Sequence, residues 1–587
     1  MTTSADRKSA EEPVDPDAPS TGAETGAADS AATESSTATT ESGTATDVES
    51  ESGTATDVGS TPSDPRSDTV THPDTSAGAE KSAVPPTSDD AAAEKSTAGT
   101  SPGPLQRTAR ALITRFGAAT VAFTILATLF GAVFAVITPP FWGHDEITQF
   151  GRAYQVAHGG FLPQEIDDDR GVAYGGQAPA AIDALMGYAF RDYNDNPEEP
   201  GAMVGDPAGY DRVGGAEVTS EHKTIWFTNT AAYSPVPYVP AAIGIRVAEL
   251  TGLDASGMVL LTRLAGLLAY LVIVGFALWA LRAYRVQWLA FSIALLPIAV
   301  FQAGTVTADT MTNALAIMVS ALLVKALFLG RGLGRVESTA LLAATVLLPL
   351  SKPTYVLLAM LVVLVPAKRF GFSGLLRWVP VVCAAIGAIG FAVWMKIAAP
   401  TGDGMSLMRP RHQWYTVNPG EQLSGILSDP FGFLGVFGES IARRDQEWFT
   451  EFFGELGFGY VDVPAMSIVT CLLAFAVGLG IAERMTTPDF RRTLIVALTL
   501  AASVAMIYVT LYMSFTPIDF YIIDGVQGRY FVPLAILTFA VLLRWMPLRL
   551  TGPGGKAPGR AAPITIVVAT SIALAAAAIK YYVVVWG

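Results

Sequence analysis

Two cysteines in 587 residues do not make a disulfide framework. Both Cys383 and Cys471 fall inside apolar runs and read as small core residues. The five histidines show no spacing with one another or with cysteine that suggests a zinc module. No glycine-rich loop opens a helix, and no Ser/His/Asp order stands out, so the familiar phosphate-loop and serine-hydrolase patterns are missing. Charge is scarce too: 15% of residues are Asp, Glu, Lys or Arg, against about a quarter in soluble proteins. That shortage excludes an ordinary soluble chain of this size.

Apolar residues take the place of charge, at 51% of the chain with a mean hydropathy of +0.40. Several runs reach about 20 residues, the length a helix needs to cross a bilayer core. The expected fold is an all-α polytopic membrane protein. Apolar runs give about eleven spans, near 117–138, 257–281, 287–304, 310–329, 338–351, 353–366, 378–398, 464–482, 493–513, 529–546 and 562–586.

Residues 1–104 are different. They lack aromatics, have almost no large apolar residue, and carry 20 acidic against 5 basic side chains. The remainder has 32 acidic and 33 basic, so the net charge of −14 belongs to this tail. Such a segment cannot bury enough surface to offset its chain entropy and is expected to be a disordered cytoplasmic tail. Its repeat, Glu41–Val48 recurring at Glu51–Val58, is low complexity. The first apolar run begins after more than 110 residues, so it is expected to stay as an anchor rather than be cleaved.

Arg107, Arg110 and Arg115 precede the first span, which puts the N-terminus inside by the positive-inside rule. With eleven spans every later basic cluster also falls inside, from Arg282 and Arg285 to Lys556 and Arg560. Two short helices must then meet at Ser351-Lys352-Pro353; one long span there would invert everything downstream. Three outer segments result: 139–256, 399–463 and 514–528.

The chemistry-bearing residues gather on that outer side. Pro139-Pro140-Phe141-Trp142-Gly143-His144-Asp145-Glu146 follows the first span directly. Paired carboxylates at a membrane surface are costly unless they have work or a partner. From Asp145 the chain reads as an amphipathic surface helix, with Asp145, Gln149 and Arg152 on one face. Asp145 is either a base or an N-cap. Arg263, near the start of the second span, is a phosphate ligand or a snorkelling anchor. Asp309 reads as a helix cap or a positioning group. Lys352 is a bilayer-depth cation with no partner nearby in sequence. In Asp524-Gly525-Val526-Gln527-Gly528-Arg529-Tyr530 two glycines flank a Gln-Gly-Arg turn whose guanidinium suits a phosphate. Asp167-Asp168-Asp169 is an acidic loop or a cation site.

Asp145-Glu146 after Pro-Pro and four residues, the Ser234-Pro235 to Tyr238 segment, and Arg263-Leu264 together resemble the GT-C superfamily of integral membrane glycosyltransferases. More narrowly, Asp145-Glu146 with Arg152-Ala153-Tyr154, Ser351-Lys352-Pro353 and Gly525 to Tyr530 look like a bacterial family of predicted membrane proteins, itself GT-C-like. The likeness runs over residues 112–586. It implies an inverting transferase in the bacterial cytoplasmic membrane, with its active site on the outer face. The donor would be a polyprenyl-phosphate sugar, and the acceptor an envelope glycan or lipid-linked molecule. Membrane lipids, and no nucleic acid, are the other expected partners. Asp145 and Glu146 would be catalytic. Arg529, Lys352 and Arg263 would hold the donor phosphate. His144, Gln149, Arg152, Asp309, Gln527 and Tyr530 would position substrate. A strict Asp-x-Asp is absent; Asp145-Glu146 stands in its place and leaves a divalent metal, Mg or Mn, open. A flippase for lipid-linked glycans and a non-catalytic envelope-assembly scaffold are the rival readings.

Overall fold

The computed structural model describes residues 104–167, 173–194, 202–398, 417–458, 460–546, 548–550 and 559–587. The expected tail, Asp168 and Asp169 of the triple aspartate, and residues 399–416 of the second outer segment lie outside the described residues. The chain divides into two units, Met1–Pro102 and Gly103–Gly587, and the second is described here.

Helix accounts for 73% of the structure. Its elements run α1 (Pro104–Phe116), α2 (Ala118–Ile137), α3 (Glu146–Ala157), β1 (Gln164–Ile166), β2 (Ala173–Pro179), α4 (Ala180–Asn194), α5 (Pro207–Gly214), β3 (His222–Trp226), α6 (Thr228–Ala231), α7 (Val239–Thr251) and α8 (Ala255–Ala280). Then come α9 (Gln287–Ala294), α10 (Pro297–Ala303), α11 (Ala308–Leu323), α12 (Arg335–Ser351), α13 (Val356–Met360), α14 (Val379–Ala398), α15 (Pro419–Ser428) and α16 (Pro430–Gly454). A two-residue hairpin, β4 (Glu455–Leu456) and β5 (Val461–Asp462), leads to α17 (Ala465–Ile481), α18 (Phe490–Ser514), α19 (Ala535–Trp545) and α20 (Ala561–Trp586).

Among the described residues, seven helices are long and apolar enough to cross a membrane: Ala118–Ile137, Ala255–Ala280, Ala308–Phe328, Gly374–Ala398, Phe490–Ser514, Gly528–Trp545 and Ala561–Trp586. The other four expected spans are shorter or broken. The run 287–304 divides into α9 and α10 because Pro297 opens α10 and Leu296 before it is extended. α12 has 17 residues, about 25 Å at 1.5 Å per residue, short of a ~30 Å core. Pro353–Leu364 and Ala465–Ile481 are shorter apolar helices as well. The break expected at Ser351-Lys352-Pro353 is present: α12 stops at Ser351, and Lys352 is extended (φ −148°, ψ 119°), as a residue before proline prefers.

The segment 139–256, expected on the outer side, is not all helical. β1, β2 and β3 form an antiparallel sheet in that order, with Gly175 opposite Trp226. β4 and β5 make a second small pair. The expected all-α fold is therefore a helical bundle carrying two small sheets. Its centre is the span begun by α11, which is 94% buried, while Gly374–Ala398 at 17% is peripheral. The Asp309 cluster described below sits at the start of that central helix.

Candidate functional site

Glu146 and Arg263 were expected to serve chemistry, and the structure commits them to each other. Arg263 Nε donates to Glu146 Oε1 at 2.8 Å and Nη2 to Oε2 at 2.6 Å. Its remaining N–H groups go to the carbonyls of Ala135, Thr138 and Pro139. All five guanidinium donors are used. Glu146 takes two further bonds, from the backbone N–H of Gly143 and of Val306, which fills its acceptor capacity. Both side chains are at most 3% exposed. Neither has a group left for acceptor, phosphate or cation, so their expected roles give way to a structural one. They pin the loop after α2 to α8 and to the turn before α11.

Arg152 is corrected in the same way. Its five donors go to the Tyr233 carbonyl twice, to Gln155 Oε1, and to the carbonyls of Gly160 and Phe161. It is fully buried and holds the Tyr233 segment on α3. Gln149 is buried alongside, where its Oε1 accepts from Tyr238 Oη at 2.6 Å and from the Ala308 N–H at 3.2 Å. That explains the proline-rich stretch: it docks Tyr233 and Tyr238 against α3, while Ser234 Oγ donates to the Leu350 carbonyl at 2.6 Å.

Asp145 differs from its neighbour. It sits at φ 52°, ψ 22°, in the left-handed region, at the head of α3, and its side chain makes no capping bond. The simple cap reading is therefore excluded. Such a conformation costs a non-glycine residue roughly 1–3 kcal/mol and survives only where the surroundings enforce it. The Glu146–Arg263 lock is its immediate neighbour in the chain. Burial pushes the Asp145 carboxyl above the usual carboxylate range; Arg529 and Lys352 pull it down and Asp309 pushes it up. Asp145 thus lies in electrostatic range of three other charges.

Those three form a cluster. Lys352 Nζ meets Asp309 Oδ1 at 2.6 Å, and Arg529 Nε approaches Oδ2 at 3.5 Å. Gln302 Nε2 donates to the same Oδ2 at 3.0 Å. Lys352 therefore has a partner, 43 residues back in the chain. Asp309 does not cap α11; Thr307 does, its hydroxyl accepting from the Asp309 N–H. Tyr530 offers its ring to Lys352, 4.2 Å from Nζ to the centroid, and to Arg529 at 5.4 Å.

Arg529 is the cation with capacity to spare. It is 7% exposed, and its buried Nε lacks a hydrogen-bond partner, the Asp309 contact being too long for one. Gln527 Oε1 is buried without a partner as well. His144, 5% exposed, has no well-formed hydrogen bond at either ring nitrogen, although the Glu455 backbone is close enough to be felt. Burial, helped by Arg529, holds its pKa well below the ordinary range, so the imidazole is neutral.

α16 and the hairpin after it contribute residues that the sequence did not flag. The Glu451 carboxylate accepts from the Gly528 N–H. A side chain at Gly528 would collide with the backbone of Trp448 and Phe452, which is why the Gln527-Gly528-Arg529 turn needs glycine there. Trp448 Nε1 donates to the Val526 carbonyl at 3.0 Å. One turn on, the Phe458 N–H donates to the Trp142 carbonyl at 2.9 Å, bringing the β4–β5 hairpin against the loop that carries His144 and Asp145. Burial, then Glu451, push Glu455 up to about 7, while Arg529 pulls it down. Two unremarkable glutamates in an amphipathic helix and its exit gave no signal in the sequence.

A cavity of about 160 Å³ opens beside the cluster. Lys352, Tyr233 and Tyr530 line one part, and Pro353, Ile507 and Leu511 give it an apolar wall along α18. The arrangement offers one cation, Lys352, and aromatic rings beside an apolar wall, with Arg529 behind Asp309 and the Asp145 carboxylate in electrostatic range. Glu146 has no free oxygen for a cation, and no group of three His, Cys, Asp or Glu suited to a metal occurs among the described residues.

Comparison with known proteins adds a family. Residues 128–538 match the model of a predicted membrane protein family, DUF2142, and the chain belongs to it. No curated protein and no solved structure matches.

Proposed function

We propose that this membrane protein is a glycosyltransferase of the outer face of the bacterial cytoplasmic membrane, taking a sugar from a polyprenyl phosphate for an envelope glycan or glycoconjugate. The observation that carries the reading is a pair of buried cations: Lys352 lines a cavity walled by a membrane-length helix, and Arg529, with donors to spare, approaches the same Asp309 carboxylate. A lipid phosphate has the charge and the shape for that position.

In the proposed step Asp145 removes the acceptor hydroxyl proton as that oxygen bonds to the anomeric carbon. The bond from the anomeric carbon to the phosphate oxygen breaks, and its electron pair leaves with the polyprenyl phosphate. Inversion follows, because the nucleophile enters opposite the leaving group. Arg529, with Lys352 behind it, stabilises the charge that develops on the phosphate. The raised pKa of Asp145 makes it a stronger base than an exposed carboxylate. Lys352, Asp309 and Tyr530 hold Arg529 in place; His144 and Gln527 turn unpartnered polar atoms toward the acceptor. The orientation, with the N-terminus inside and eleven crossings, belongs to the same proposal.

The test is sugar transfer by the purified chain in lipid, with radiolabelled polyprenyl-phosphate sugars and a glycan acceptor. Wild type should transfer, and Asp145→Asn should transfer about 10²–10⁴-fold more slowly. Transfer that is unchanged in the variant removes Asp145 from the reaction. Movement of the donor between leaflets without transfer replaces the enzyme with a flippase.

A further inference from the structure

The helices that bracket the Asp309 cluster also bracket a second polar cavity at their other ends. Ala308–Phe328 starts beside that cluster and runs 21 residues, about 30 Å, to Phe328. α18 ends at Ser514, which lines the first cavity, and starts at Phe490. Between the distal ends lies a cavity of about 240 Å³, lined by Leu327, Pro366, Arg369, Thr487, Asp489 and Arg492 among others.

Arg369 is held there by its backbone. Its N–H donates to the Pro366 carbonyl at 2.8 Å, and its own carbonyl accepts from Leu333 at 2.7 Å. Its side chain lies against Gly330, where an added Cβ would come within 3.1 Å of Nη2. Its Nε is buried with no hydrogen-bond partner. A snorkelling arginine would have that nitrogen in water; here it is withheld from water and left without an acceptor. Arg492, about half exposed, faces the same space and has only a loose 3.8 Å approach to Asp489, itself 67% exposed. Thr487 Oγ1 is committed to the Phe328 carbonyl at 2.9 Å, and Arg544 Nε to the Pro488 carbonyl at 3.0 Å, so both brace the walls. Two guanidinium groups against one exposed carboxylate leave the cavity cationic.

We propose that this cavity is a second anion site, which binds a phosphate group at the end of the bundle away from the candidate active site. Arg369 and Arg492 both line the cavity, and each guanidinium is a planar fork of donors that matches phosphate oxygens. Asp489 lowers the affinity and turns aside as the anion enters. The phosphate is that of a membrane lipid headgroup or a free ion. Leu327 and Pro366 beside the cations suit an amphiphile, as in basic pockets between spanning helices.

The test uses the full chain in phosphatidylcholine nanodiscs, with thermal unfolding as the readout. One arm adds inorganic phosphate, and the other builds phosphatidylglycerol into the discs. Each arm compares wild type with Arg369→Gln, Arg492→Gln and the surface control Arg443→Gln. The expected result is a Tm rise in wild type and control, with affinity weakened roughly ten- to a hundredfold by either cavity substitution. A rise in the lipid arm alone names a headgroup as the source; a rise with phosphate alone names the free ion. Arg492→Gln, at an exposed position, carries the test should Arg369→Gln fail to fold. No rise with either probe, or equal rises in all four proteins, overturns the proposal.

Discussion

Lys352 and Asp309 meet at 2.6 Å where an interrupted helix turns beside the start of the central one, and Arg529 shares the same carboxylate from 3.5 Å. One carboxylate therefore faces two buried cations. Asp309→Asn strands both charges, and breaking a buried pair costs about 3–5 kcal/mol. Thermal unfolding in detergent should show a large drop in Tm. An unchanged Tm would mean the cations are neutralised elsewhere.

The closed network around Glu146 and Arg263 predicts loss of folding rather than loss of chemistry. Glu146→Gln and Arg263→Ala should cut the yield of folded protein severely. The decisive comparison is specific activity per folded molecule. If either variant folds like wild type but is inactive, that residue belongs to the reaction after all.

Asp145 should separate stability from turnover. Asp145→Asn should lower transfer by about 10²–10⁴-fold without changing the fold. Asp145→Gly, which relieves the left-handed backbone at φ 52°, should raise stability by about 1 kcal/mol while abolishing transfer. A glycine variant less stable than wild type would show that the carboxylate contributes more to the fold than its backbone costs.

Two pH effects follow from burial. Because the Asp145 carboxyl titrates above the usual range, transfer should rise with pH through a limb displaced upward from that of an exposed aspartate. Glu455 is disfavoured as an anion in the fold, with a pKa of about 7 against 4.5 when exposed. The unfolded chain therefore releases its proton first. The folded state loses stability as pH rises from about 4.5 to about 7, and the loss is complete above that. Glu455→Gln should flatten this slope in Tm against pH. A slope that persists assigns the titration to another group.

Arg529→Lys keeps the charge and loses the fork. The proposed phosphate contact predicts a raised donor KM for Arg529→Lys and a further loss of kcat for Arg529→Gln. Wild-type kinetics in the lysine variant would remove the guanidinium from donor binding.

What the sequence revealed depended on how local each cause was. The break at Lys352-Pro353 was legible because proline acts on the residue just before it. The partner of Lys352 was not, since Asp309 lies 43 positions away and looks like any acid at a helix start. Arg263 and Glu146 are separated by 117 residues, and neither the motif of one nor the span of the other announces their pairing. The run 287–304 was read as one span because its apolar character is continuous, although Pro297 divides it. β2 carries Gly175-Gly176 and a terminal proline, a poor strand by propensity that pairing on both edges rescues.

The 43-residue gap between Asp309 and Lys352 also sets a schedule for biogenesis. At about 5–20 residues per second, the carboxylate leaves the ribosome roughly 2–9 s before its first cation exists. Arg529 follows near the end of synthesis. During that interval the central helix carries an acid that has no lysine to meet. The insertion machinery must therefore shelter the helix or hold it back from the lipid until the next pair of helices arrives. Chains truncated before Lys352 should be the ones that quality control removes fastest.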